Sequence, residues 1–183
     1  MDSKKIAQLT KELIAQIDPQ PMREGLRETP ERMAKSFSTL YGGYAQNPQE
    51  VITVFDNEGY DEMVIARNIE FYSMCEHHML PFFGKVHVGY VPANKIIGLS
   101  KMPRLVEVFA RRLQNQERMT KQIADSINEA LKPKGVGVVV QGQHLCMQAR
   151  GVKKQSCEMV TSSFIGLIKK DIRTRTEFLG LIK

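Results

Sequence analysis

Cys75-Glu76-His77-His78 sets a thiol and an imidazole three residues apart, a spacing from which one tight turn can offer both to a single zinc ion. Zinc needs further ligands, and the chain has few to offer: Cys146, Cys157, His87 and His144. Cys146 closes the run Val138-Val139-Val140-Gln141-Gly142-Gln143-His144-Leu145-Cys146, which reads as a β-strand. Residues i and i+2 share a strand face, so His144 would point into the same space as Cys146. Cys75, His78 and Cys146 as ligands would leave one tetrahedral position open, which separates catalytic zinc from structural zinc. His77 and His144 would then be non-ligand histidines beside a bound water. The same residue types also suit a plainer reading, as buried thiols and satisfied core histidines.

Two further groups could do chemistry. Ser100 precedes a helix that carries Lys101 and Arg104 in its first turn. Cations there oppose the helix dipole, whereas free N–H groups, a hydroxyl and two bases together suit a bound phosphate. An ordinary capped helix with exposed bases fits equally well. Arg32 and Lys35 lie three apart on another helix, off its apolar positions, as solvated charges would. Glu117 falls in the first turn of a third helix, where a carboxylate complements the dipole.

The elements that must position these residues follow from periodicity. Ile6, Leu9, Leu13, Ile14 and Ile17 mark an amphipathic helix stopped by Asp18-Pro19. Thr29 and Pro30 open a second helix as N-cap and first helical residue, with Met33, Phe37, Leu40 and Tyr41 on its buried side. Residues 45–62 read as a connecting segment, and β-like stretches follow over 63–72 and 84–91 with the Cys-Glu-His-His turn between them. The Ser100 helix and a longer helix over 116–131 come next, then the strand to Cys146, a strand over 159–165 and a last helix over 171–182. Paired strands flanking paired helices predict an α+β fold with an antiparallel sheet and helices on one face. A four-stranded sheet of this kind leaves open edges that invite pairing between subunits. The expected division is a helical arm with its connecting segment over 1–62 and a catalytic domain over 63–183.

With 183 residues, 42% of them hydrophobic, the chain can bury a substantial core. No apolar run reaches membrane-spanning length, and the N-terminus lacks the apolar core of a signal peptide. Three cysteines without framework spacing point to a reducing, cytoplasmic setting. A net charge of +6 suggests an anionic partner. Nucleic acid is the first thought, but no helix-turn-helix, zinc-finger or RNP signature and no dense basic run supports it. A small phosphorylated substrate accounts for the same excess.

Taken together, Cys75-Glu76-His77-His78, Gly98-Leu99-Ser100-Lys101 with Arg104, Gln116-Glu117-Arg118 and His144-Leu145-Cys146 through Ala149-Arg150-Gly151 resemble GTP cyclohydrolase I. Glu28-Thr29-Pro30-Glu31-Arg32 matches that family's N-terminal helix motif, so the resemblance extends from about Leu26 to the C-terminus. Each motif alone is weak, whereas five in order at fitting intervals are specific. The resemblance implies a tunnelling fold, ββααββ, assembled into a homodecamer of two stacked pentamers with sites between subunits. It implies GTP as substrate, with 7,8-dihydroneopterin triphosphate and formate as products. By position, Cys75, His78 and Cys146 would bind zinc, and water in the open position, acidified toward ~7, would attack C8 of guanine. His77 and His144 would deliver protons to departing nitrogens. Glu117 would read the guanine N1–H and 2-amino group. Ser100, Lys101, Arg104 and Arg150 would hold the triphosphate, with Arg32 and Lys35 from a neighbouring subunit. GTP would thus be bound without a GxxxxGK[ST] loop, which this chain lacks.

Three rivals are weaker. A zinc nucleobase deaminase needs a CxxC, and there is none. A metal-free purine- or pterin-binding relative would have no reason to keep Cys75, His78 and Cys146. A structural-zinc nucleic-acid binder needs a fourth ligand, and Cys157 lies beyond an intervening turn from Cys146.

Overall fold

The structure, a computed structural model, describes residues 1–183 and divides into two compact units, Met1–Gly42 and Gly43–Lys183. In the first, helix α1 (Ser3–Ile17) starts where the Asp2 carboxylate accepts the Lys5 N–H at 3.0 Å. It stops at Asp18, whose carboxyl is held below the usual carboxylate range by the Gln20 N–H and the Arg23 guanidinium. Helix α2 (Thr29–Leu40) departs from expectation at its start. Thr29 is already helical and its hydroxyl donates to the Gly25 carbonyl, because Glu24–Leu26 coil into a short 3₁₀ turn just upstream. The cap position falls to Glu28, which makes no side-chain capping bond. Pro30, Ala34 and Tyr41 are the buried residues there, while Met33, expected inside, is exposed.

The second unit opens with a short helix α3 (Pro48–Val51) and strand β1 (Val54–Asp56), so residues 43–62 pack with it. Then come β2 (Val64–Cys75), β3 (Pro81–Val91), β4 (Lys95–Ile97), α4 (Lys101–Ala110), β5 (Leu113–Gln114) and α5 (Gln116–Leu131). The chain finishes with β6 (Gly135–His144), a single turn α6 (Leu145–Gln148), β7 (Met159–Ile165), α7 (Gly166–Lys170) and α8 (Ile172–Leu181). Strands β1 and β4 make a small ribbon. The main sheet has the order β5-β2-β3-β6-β7, antiparallel throughout except for the short parallel pairing of β5 to β2. The major elements therefore run ββααββ, as expected, with β5 adding a fifth strand.

Alternation along the central strands separates two faces. Val86, Val88, Tyr90, Val136, Val138 and Val140 pack with Leu105, Val106, Phe109, Ile123 and Ile127 of α4 and α5. On the opposite face Phe178 of α8 sits with Val91, Val139 and Ile168. Its ring lies so close to Gly89 that an added Cβ would come within 2.8 Å of it. His87, also on this face and 2% exposed, accepts the Asn68 N–H on Nδ1 at 3.4 Å, leaving Nε2 to donate to Gln141 Oε1 at 3.3 Å. Asn68 is left-handed (φ 59°) at the bulge between Ala66 and Ile69, so His87 braces an irregular stretch of sheet. No helix is long and apolar enough to cross a membrane.

Candidate active site

The turn after β2 closes tightly. Cys75 N–H donates to Leu80 O at 2.9 Å and Met79 N–H to Cys75 O at 2.8 Å, with Met79 left-handed at φ 54°. Cys75 and His78 are thereby brought side by side, Sγ to Nδ1 at 3.9 Å. The parallel pairing of Cys75 with Gln114, reinforced by Glu76 N–H to Gln114 O at 2.9 Å, lays the start of α5 against this turn. From the other side, β6 pairs Phe82 with His144 and then ends.

Here the structure corrects the strand reading. Cys146 is not on β6; it lies in the α6 turn, so the shared strand face cannot be what joins it to His144. The chain coils just after His144, and that coil carries the thiol back toward the turn after β2. The ligand atoms of Cys75, His78 and Cys146 all lie within 4.8 Å of one another, with both sulfurs buried and His78 exposed. Burial raises the Cys146 thiol above its ordinary range, and the neighbouring Cys75 sulfur raises it further. Two sulfurs and an imidazole are the donor chemistry of a borderline-soft ion, and a bound cation would relieve the strain of two adjacent thiolates. The residues fit a metal.

One cavity of about 280 Å³ gathers Cys75, His77, His78, Glu117, His144 and Cys146. That volume stands at the lower edge of small-molecule pockets. Asn115 caps α5, its Oδ1 accepting the Arg118 N–H at 2.8 Å, and so points Glu117 outward from the first turn. Burial lowers the His144 pKa, opposed by the charge of Glu117. Arg150, exposed after α6, donates to His78 Nε2 at 3.1 Å. Ser100, Lys101 and Arg104 line no part of this cavity. Ser100 occupies the cap position of α4 as expected, but its hydroxyl makes no capping bond. Arg32 and Lys35 belong to the first unit, where Arg32 pairs with Glu28 at 3.0 Å and Lys35 borders an apolar groove with Ala7 and Ala34.

Two features of the site escape sequence reasoning. Glu76 receives the Asn115 Nδ2 at 3.0 Å and an ion pair from Arg118, tying the turn after β2 to the head of α5. Gln116 is 2% exposed and bonds His144 Nε2 through Oε1 at 2.8 Å. A glutamine beside Glu117 carries no local signal for this, since its partners are 24 to 45 positions away.

A family model described as GTP cyclohydrolase I matches residues 6–183. The chain is 56% identical over 186 residues to GTP cyclohydrolase 1 of Wolinella succinogenes, covering 100% of both chains. It is 52% identical to that of Leptospira biflexa, covering 96% of each, and 54% identical to that of Methylococcus capsulatus, covering 95% of each. On this evidence the chain belongs to the GTP cyclohydrolase I family.

Proposed function

We propose that this protein converts GTP to 7,8-dihydroneopterin triphosphate and formate, opening the guanine imidazole ring at C8. The observation that carries the reading is the convergence of three metal-type ligands, His144 and Glu117 on one cavity in a chain of this family. Cys75, His78 and Cys146 would hold zinc, which when bound supplies Lewis acidity and lowers the pKa of a coordinated water toward ~7. His77 and His144 flank the ligands and would hand protons to the ring nitrogens as their bonds to C8 break. Burial keeps His144 readily deprotonated, so it can take a proton at one step and return it at another. The ribose then opens, rearranges in Amadori fashion and closes onto the freed amine.

Glu117, whose carboxylate is exposed at the cavity, accepts the guanine N1–H and 2-amino hydrogens, a donor pair that adenine lacks. Arg150, Ser100, Lys101 and Arg104 hold the triphosphate, joined by Arg32 and Lys35. The α4 bases lie outside the single-chain cavity, and this role requires a site completed by a neighbouring subunit, as in a homodecamer of two stacked pentamers. A cytoplasmic setting suits the exposed free Cys157.

Metal analysis tests the ligand set. Wild-type protein should carry about one zinc per chain, and Cys75→Ala, His78→Ala and Cys146→Ala should each lose both metal and GTP turnover. Full turnover in metal-stripped protein, or in any of these three variants, would defeat the proposal.

A further inference from the structure

We infer that Gln116 is a positioning residue for His144: its side-chain oxygen commits Nε2 of His144 as a donor, leaving Nδ1 as the nitrogen that exchanges a proton with the nucleotide. The inference rests on the catalytic role proposed for His144 and deepens it.

The hydrogen bonds around Gln116 leave no freedom in the assignment. Its Nε2 lies 3.1 Å from Val140 O, 2.9 Å from Met159 O and 3.1 Å from Thr161 Oγ1. Carbonyl oxygens only accept, so the amide nitrogen must face them, and a flipped amide would set oxygen against oxygen. The hydroxyls agree. Thr120 donates to Gln116 O at 2.7 Å, so the 2.7 Å contact between Thr120 and Thr161 must take its proton from Thr161. Thr161 Oγ1 is then left to accept from Gln116 Nε2. Oε1 therefore faces His144 Nε2 at 2.8 Å and can only accept. His144 must carry a proton on that nitrogen, and its Nδ1 has no protein partner.

The ring is also fixed in orientation. Phe82 stacks on it at 4.6 Å between centroids and 8° between planes, a consequence of the β3–β6 register. Gly142 leaves the space this requires, since a Cβ there would lie 2.5 Å from Gln116 Oε1. A buried glutamine whose amide nitrogen shares two hydrogens among three fixed acceptors can turn only its oxygen to His144, and so is a rigid device for holding one tautomer. In the step itself, the imidazolium gives its Nδ1 proton to the ring nitrogen that leaves C8 with the bonding electron pair. Neutral Nε2–H imidazole remains, still bonded to Gln116.

The test is a double-mutant cycle together with a tautomer readout. Gln116→Met should lower kcat by about 100-fold while KM for GTP moves less than about threefold, the loss expected of a misplaced catalytic group. In a His144→Ala background the same change should have no further effect. Losses that multiply, or a Gln116→Met enzyme with wild-type kcat, would overturn the inference. Gly142→Ala crowds Oε1 without deleting it and should shift kcat in the same direction, which keeps the question open to experiment if Gln116→Met does not fold. Nitrogen-15 spectra of histidine-labelled, zinc-loaded protein, with His144 identified by its absence in His144→Ala, should show protonated Nε2. A protonated Nδ1 with bare Nε2 would refute the assignment. That readout needs no turnover, so it stands or falls separately from the proposed reaction.

Discussion

Four histidines are present, and geometry assigns them different work. His87 should prove structural, and the sharpest way to show it is His87→Leu. The side chain is 2% exposed and spans from Asn68 N–H to Gln141 Oε1. Both bonds are long, 3.4 and 3.3 Å, so each contributes toward the low end of the usual net range, ~0.5–1 kcal/mol. Removing the ring also deprives the Asn68 amide of its partner at the bulge, which adds ~1 kcal/mol for a partly buried donor. The total is about 2–3 kcal/mol, and for a chain of this size that lowers the unfolding midpoint by ~4–12 °C. Calorimetry on zinc-loaded protein measures the shift, and GTP turnover at 20 °C below the wild-type midpoint tests for a catalytic role. The expected result is a lower midpoint with kcat and zinc content unchanged. A His87→Leu enzyme that is fully folded but inactive would refute the division of histidines drawn from the structure.

Other outcomes follow from the same contacts. Glu117→Ala should raise KM for GTP by ~10–100-fold while inhibition by inorganic triphosphate stays within about twofold; equal loss of both would remove Glu117 from base recognition. Glu76→Gln should destabilise by ~1 kcal/mol, because its ion pair with Arg118 is only partly shielded from solvent. In an Arg118→Met background that effect should largely vanish, and simple additivity in urea unfolding would show the pair to be uncoupled. Phe178→Ala removes a fully buried ring seated over Gly89 and Gly137 and should lower stability by ~3–5 kcal/mol in denaturant titration. A change below ~1 kcal/mol would mean α8 is not anchored through this ring.

The ββααββ order could be read from the chain because each element carries its own periodic pattern. The expected helix over 116–131 is the observed α5, framed by the Asn115 cap and the Pro133 break. The strand ending in Cys146 was overextended for a physical reason. Leu145, Cys146 and Met147 continue the apolar character of β6, and hydrophobicity alone does not distinguish one more strand residue from a helical turn. Cys75, His78 and Cys146 come together all the same, because the α6 coil returns Cys146 to the turn after β2. Thr29 failed as a cap because Gly25, seven residues upstream of Arg32, offers both it and Arg32 a carbonyl. Gln116 and Glu76 could not be found by local reasoning at all. Their importance lies in partners brought near by strand pairing, β5 to β2 for Glu76 and β6 to β7 for Gln116. Ser100 at the α4 cap and the bases Lys101 and Arg104 in its first turn suit an anion by position, yet within one chain they line no part of the cavity.

The central claim is that C8 of guanine leaves as formate at the site formed by Cys75, His78, Cys146, His144 and Glu117. GTP labelled with carbon-13 at C8 addresses it most directly, followed by carbon NMR with the zinc-loaded protein, the stripped protein and the protein after zinc is restored. The account predicts that the label appears as free formate together with an unlabelled pterin, disappears from the products on stripping, and returns with zinc. Label retained in a purine, or in a product still carrying C8 at completion, would contradict it.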